Sequence, residues 1–233
     1  MALTPQNNEA FLREVDEELR RDQALALWRR WGRVAIVAVV AALLAFAGYL
    51  FWRHQQNVAA EREGEQLQRA YDYLGAGDTA AAAKPLGELA QSSRDGYRVL
   101  AAFTQADIAL NKNDYRGAAA IFGRVAGDAS VAQPFRDLAL IRQTTAEFDT
   151  LQPAVVVQRL QGLTAPGNPW LGSAGELVAM AYLKQGRRDL AGQTFGRIAQ
   201  EESAPRSVRQ RAVQMAGLLG VDAGAGSKGV TKQ

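Results

Sequence analysis

The sequence predicts an all-α protein, with a single N-terminal transmembrane helix leading into a solenoid of helical hairpins. Three observations carry this reading. Val34 to Phe51 holds no charged residue. A small residue followed four positions later by a large apolar one recurs along the chain that follows. Segments rich in Gly, Asn, Asp and Pro sit at one fixed place in each recurrence, where they favour helix stops and starts.

The span comes first. Val34–Phe51 is 18 residues long, which as a helix rises roughly 27 Å and with Gly32, Arg33 and Trp52 reaches the ~30 Å of a hydrocarbon core. Trp28, Trp31, Tyr49 and Trp52 stand at its edges, where amphipathic rings sit at the headgroup level, and Arg29, Arg30, Arg33 and Arg53 can snorkel outward. A buried core helix is usually shorter and needs apolar neighbours that the rest of the chain does not supply. A cleaved signal peptide needs a small-residue site, and Gly48-Tyr49-Leu50-Phe51-Trp52-Arg53 offers none.

The arginines set the expected direction. Within about 15 residues of the span, Arg20, Arg21, Arg29, Arg30 and Arg33 precede it, against Arg53 and Arg62 after it, a bias of five to two. Short basic segments stay cytoplasmic, so the N-terminus is expected in the cytoplasm and the remainder across the membrane, in the periplasm of a bacterium.

Composition narrows the function classes. The formal charge of +3 is spread out: residues 1–33 carry six Arg against six Asp or Glu, leaving 21 Lys or Arg against 18 Asp or Glu downstream. A nucleic-acid binder would gather its basic residues into a stripe with aromatics between them, and no such stripe is present. The chain has no cysteine, which excludes disulfides, thiolate metal sites and thiol catalysis.

Residues 1–8, MALTPQNN, lack apolar periodicity and are expected to be unstructured. From Glu9, the spacing of Phe11, Val15 and Leu19, then Leu25, Leu27 and Trp28, predicts an amphipathic helix that lies on the membrane, runs into the span, or meets a partner. After the span only Gly64 interrupts the helix-compatible run, so the helix is expected to continue through Leu74. His54, the one histidine, has no second ligand near it in sequence and reads as an interfacial polar residue.

The repeat follows. Leu86-Gly87-Glu88-Leu89-Ala90, Phe122-Gly123-Arg124-Val125-Ala126 and Phe195-Gly196-Arg197-Ile198-Ala199 are alike, with a looser Leu160-Gln161-Gly162-Leu163-Thr164, and the starts lie 36, 38 and 35 residues apart. Twelve residues before each start is Leu74, Leu110, Phe148 or Leu183, and four before is Ala82, Ala118, Val156 or Ala191. Between these positions lie GAGD, NKND, DTLQP and KQGRRD. Each unit is therefore a helical hairpin, with small residues where paired helices approach closely and a large one filling the gap to the neighbour.

This template resembles the tetratricopeptide repeat, carried here by Ala70-x-x-Tyr73 with Ala82-x-x-x-Leu86, by Ala106 with Ala118-x-x-x-Phe122, and by Ala179-x-x-Tyr182 with Ala191-x-x-x-Phe195 and Pro205 at the unit's end. The third unit, Leu138 to Leu163, keeps only the apolar skeleton. A generic hairpin solenoid is the alternative. Pro205 to Leu219, with Val208, Ala212, Met215 and Leu219 at helical spacing, reads as a capping helix, and DAGAGSKGVTKQ beyond it as a flexible tail. The tail holds Gly224-x-Gly226-x-x-Gly229, a dinucleotide-binding string without the strand or helix that would give it meaning.

No catalytic, cofactor-binding or metal-ligating residue is assigned. Glu201-Glu202 and Asp107 have no His, Cys or second acidic cluster with which to form an acid–base or metal constellation, and there is no phosphate-binding loop. The expectation is a protein that is not an enzyme, uses no cofactor and no small-molecule substrate, and presents a surface to other proteins.

The order of these features resembles the YfgM-like ancillary subunit of the SecYEG translocon. The similarity lies in the acidic N-terminal segment, the span from Trp31-Gly32-Arg33-Val34 to Arg53-His54-Gln55, the helix to Ala70-Tyr71, and the degenerate repeats. The resemblance implies a single-pass inner-membrane protein beside the SecYEG translocon, linking exported chains to periplasmic chaperones such as the anchored isomerase PpiD. Expected domains are residues 1–33 cytoplasmic, 34–52 transmembrane, 53–220 periplasmic repeats and 221–233 tail. A scaffold for cell-envelope assembly or division is the alternative function.

Overall fold

The computed structural model describes the backbone of residues 6–222, and side chains from Arg29 onward except Ala35. The amphipathic face of Phe11 to Trp28, the tail from 223 and its Gly224–Gly229 string lie outside the described residues.

Helix α1 runs from Gln6 to Gly75. Its start corrects the expectation of an unstructured 1–8, since Gln6, Asn7 and Asn8 are helical; no Gly or Pro separates them from the pattern that begins at Glu9, so nothing stops the helix earlier. The chain divides into two compact units, residues 1–62 and 63–233. In the first, the stretch expected to span is helical throughout and no part of its apolar window is buried. Val37 is 67% exposed and Leu44 69%, so this is not the core helix of a soluble domain. Among the described residues it is the one helix long and apolar enough to cross a membrane.

The second unit is a series of helical hairpins. The end of α1 pairs with α2 (Thr79–Leu89), α3 (Asp95–Asn111) with α4 (Tyr115–Gly127), α5 (Gln133–Glu147) with α6 (Pro153–Leu160), and α7 (Leu171–Lys184) with α8 (Arg188–Gln200); α9 (Arg206–Leu218) closes the described array. A short 3₁₀ turn, Gln161–Leu163, extends α6.

Three of the four hairpin turns share one geometry. Gly77, Asn113 and Gly186 adopt left-handed φ of 79°, 60° and 74°, and the next amide donates to a carbonyl five residues back: Asp78 to Tyr73 at 2.8 Å, Asp114 to Ala109 at 2.8 Å, Arg187 to Tyr182 at 2.9 Å. These are Schellman closures, in which glycine, or asparagine at some cost, takes the conformation that other residues resist. Asp78 and Asp114 then cap the following helices through the amides of Ala81 and Gly117. The third turn has no left-handed residue; α6 begins instead on Pro153, whose fixed φ suits a first helical position.

Burial follows the repeat template. Ala82, Ala118, Val156 and Ala191 are 0%, 0%, 1% and 0% exposed, and Leu86, Phe122, Leu160 and Phe195 are 0%, 0%, 0% and 3%. Four apolar clusters result, and each joins one hairpin to the helix after it. The first adds Ala101 of α3, the second Ala139 of α5, the third Ala174, Val178 and Ala181 of α7, the fourth Ala212 and Ala216 of α9. A solenoid is held in this way, since no unit closes its own core. Phe122 meets Phe103 edge-to-face with centroids 5.6 Å apart, an arrangement worth about 0.5–1.5 kcal/mol beyond its area.

The array ends on a fourth closure of the same kind, with Gly220 at φ 79° and the Val221 amide donating to Ala216 at 2.9 Å. Val221, the first residue of the segment read as tail, packs with the last cluster. A β-carbon on Gly192 would lie 2.8 Å from a Val221 methyl, so the glycine is what lets Val221 approach α8.

Candidate interaction surface

Successive hairpins are tied by ion pairs one repeat apart. Arg142 on α5 donates to Asp107 on α3 at 3.1–3.2 Å. Arg211 on α9 donates through two nitrogens to both carboxylate oxygens of Glu176 on α7, at 3.0 and 2.9 Å. Lys184 at the end of α7 meets Asp149 in the α5–α6 turn at 2.9 Å. Each pair spans 35 residues. Two of the cations also touch aromatic faces: Arg142 lies 5.4 Å from the Phe122 centroid and Lys184 4.3 Å from that of Phe148. The hydrogen bonds that Arg211 donates to Glu176, and then the charge of that carboxylate, raise the affinity of Arg211 for its proton.

Cavities open beside these pairs. One of about 540 Å³ is lined by Leu110, Tyr115, Arg142, Thr145, Ala146 and Asp149. A second, of about 300 Å³, is lined by Phe148, Leu177, Met180, Phe195 and Met215 together with the paired Glu176 and Arg211. A third of about 340 Å³ lies against the first hairpin and is polar, with Gln66, Arg69, Tyr73, Lys84 and Glu88 around it; Gln66 there donates to Glu88 at 2.9 Å.

The sequence named no binding residue, and it read Asp107 as an acid without a chemical partner. The structure brings Asp107 to Arg142. The signal was an acid and a base one repeat period apart, visible only once helices of successive units are known to lie side by side. Glu201 sits beside Ser203, whose hydroxyl and amide hydrogen bonds hold its carboxyl below the ordinary range. His54 is exposed on α1. Among the described residues, no three His, Cys, Asp or Glu side chains gather as a metal site requires. What the arrangement offers is surface: clefts between rigid helices, with few groups that could move a proton or attack a bond.

An all-helical array of hairpins sharing cores with their successors is a repeat scaffold of the protein-binding class. The chain matches the family of the tetratricopeptide repeat-like domain over residues 26–216, and it belongs to that family. No curated protein and no solved structure matches it. The matched range begins ahead of Val34, so the apolar helix is included with the repeats.

Proposed function

We propose that the chain is a membrane-anchored protein–protein interaction adaptor ancillary to the Sec translocon, of the YfgM-like kind. Residues 34–52 cross the inner membrane once, 1–33 remain cytoplasmic, 53–220 form a periplasmic repeat domain and 221–233 a tail. The repeats would link chains emerging from SecYEG to periplasmic chaperones of the PpiD type. The observation that carries the reading is the uncovered apolar helix joined to protein-binding repeats within one family match; the five-to-two arginine bias supports the direction.

Affinity purification of the full chain from membranes in mild detergent tests this. Translocon subunits and a periplasmic chaperone are expected among the proteins recovered, and their consistent absence sinks the reading. Septal localisation of a fluorescent fusion, with export unaffected, would favour an envelope-assembly scaffold instead.

A further inference from the structure

Both methionine sulfurs of the described residues belong to one cavity. The chain has three methionines and no cysteine; Met1 lies outside the described residues, and Met180 of α7 and Met215 of α9 line the same space of about 300 Å³. Each follows a member of the Glu176–Arg211 ion pair by four residues, and residues four apart share a helix face. The methionines are thus the next rung of the ladder that the ion pair begins, one helical turn on. Met180 is 40% exposed, whereas Met215 is half-buried and packs with the last apolar cluster. Oxidation of methionine follows exposure, and the chain has no thiolate to react ahead of its thioethers. Arg211 spends Nε and Nη2 on the two oxygens of Glu176, and a guanidinium keeps further N–H groups on Nη1. Among the described residues that line the cavity, Arg211 is the one side-chain donor.

We infer that Met180 is a reversible oxidation site for hydrogen peroxide, and that its sulfoxide loosens α9 by competing with Glu176 for Arg211. A lone pair of the Met180 sulfur attacks one peroxide oxygen, so that the S–O bond forms as the O–O bond breaks. Two electrons pass from sulfur to the departing oxygen, which takes the proton of the transferred one and leaves as water. A dithiol-dependent methionine-sulfoxide reductase reverses the step: its two thiols become a disulfide and the sulfoxide oxygen leaves as water. The sulfoxide puts a strong acceptor on an otherwise apolar wall, where it goes unsatisfied unless Arg211 donates to it. Met215, covered by its cluster, reacts more slowly. The switch needs neither the translocon nor a bound partner.

The test treats the full chain in lipid nanodiscs with hydrogen peroxide and follows it by peptide mass spectrometry and amide hydrogen exchange. Met180 should gain oxygen about threefold faster than Met215 or more, and the difference should vanish in denaturant. Exchange of α9 amides should rise about threefold or more on oxidation while that of α3 and α4 stays unchanged. The α9 rates should recover after treatment with reductases for both sulfoxide epimers. Met180→Leu, which conserves volume and apolarity, should abolish the α9 response, and Met180→Gln, which supplies a polar oxygen without peroxide, should reproduce it. In Glu176→Gln, where the hold on Arg211 is weakened in advance, the response should be smaller. Met180 oxidised no faster than Met215, or a Met180 sulfoxide that leaves α9 exchange unchanged, overturns the inference. So does a response that survives Met180→Leu and disappears in Met215→Leu, which would make Met215 the site. An undiminished response in Glu176→Gln overturns the competition for Arg211.

Discussion

Arg142 reaches back one whole repeat to hold Asp107 at 3.1 Å while its guanidinium covers the Phe122 ring at 5.4 Å. One side chain thus ties α5 both to the preceding first helix and to the large residue of the preceding hairpin. Both ions are over a third exposed, at 39% and 44%, so the pair alone is worth less than about 1 kcal/mol. The ring contact adds about 0.5–1 kcal/mol. Asp107→Asn should therefore cost about 0.5 kcal/mol and Arg142→Ala about 1–1.5 kcal/mol, read as denaturant midpoints at constant slope. In high salt the Asp107→Asn deficit should shrink and part of the Arg142→Ala deficit should persist; equal loss of both would mean that the aromatic contact contributes nothing.

The repeat core makes opposite demands at its two template positions. Phe122, fully buried between hairpins two and three, should cost about 3–5 kcal/mol when cut to alanine. Ala118, equally buried, marks the close approach of α3 and α4, so enlarging it should also destabilise, by about 1–3 kcal/mol for Ala118→Leu. Thermal or chemical denaturation of the two variants checks both. A neutral Ala118→Leu would mean that the helices separate without penalty and that the small residue is not required.

Turn geometry gives a different signature. Asn113 holds φ 60° where its counterparts Gly77 and Gly186 hold 79° and 74°. Asn113→Gly should be close to neutral, because relief of left-handed strain offsets added chain entropy. Asn113→Val should cost about 1–2 kcal/mol. Gly186→Ala should cost about 1 kcal/mol by the same argument. A Val variant as stable as wild type would show that the turn closes without the left-handed residue.

The hairpins were legible because their signal is apolar and periodic. Leu86, Phe122 and Phe195 repeat a size pattern that packing imposes on every unit, and burial follows it. Less was legible where polar residues do structural work. Thr144, 0% exposed, takes the small-residue place of Ala70, Ala106 and Ala179 in the third hairpin by turning its hydroxyl onto the Leu140 carbonyl at 2.7 Å; nothing in its residue type announces burial. The ion pairs were hidden because a charge on a helix finds its partner only through the crossing of two helices. Gln6 to Asn8 join α1 although nothing apolar marks them, because the helix that starts at Glu9 has no reason to stop there. Groove residues such as Met180 share the spacing of core residues, and sequence alone does not separate an apolar wall left open from one that is covered.

Acid should reveal one loop. The Asp128 carboxyl accepts from the Ser130 hydroxyl at 2.7 Å and amide at 2.9 Å, and those bonds, with a smaller contribution from the charge of Arg98, hold it below its ordinary 3.8. A carboxyl depressed in the folded state contributes stability above its unfolded value, and that contribution is lost as pH falls through the folded value. Asp128 should therefore titrate below 3.8 by NMR, Ser130→Ala should move the midpoint upward, and Asp128→Asn should flatten the acid limb of the stability profile between the two values. A wild-type midpoint at or above the ordinary value would remove this link.

The span lends itself to an energetic test. Between Val34 and Phe51 stand ten Val, Ile, Leu or Phe residues, each worth about −0.3 to −0.6 kcal/mol in a membrane, or roughly −3 to −6 kcal/mol together. An arginine near the centre costs about 2.5–3.5 kcal/mol on the same scale. Leu44→Arg alone should therefore leave much of the chain inserted, whereas Val40→Arg with Leu44→Arg, costing about 5–7 kcal/mol, should cancel the whole driving force. The measurement is the fraction resistant to alkaline carbonate extraction of membranes. A double variant that stays fully membrane-bound would mean that something other than Val34–Phe51 holds the protein there, and a wild-type chain that washes off would remove the anchor altogether.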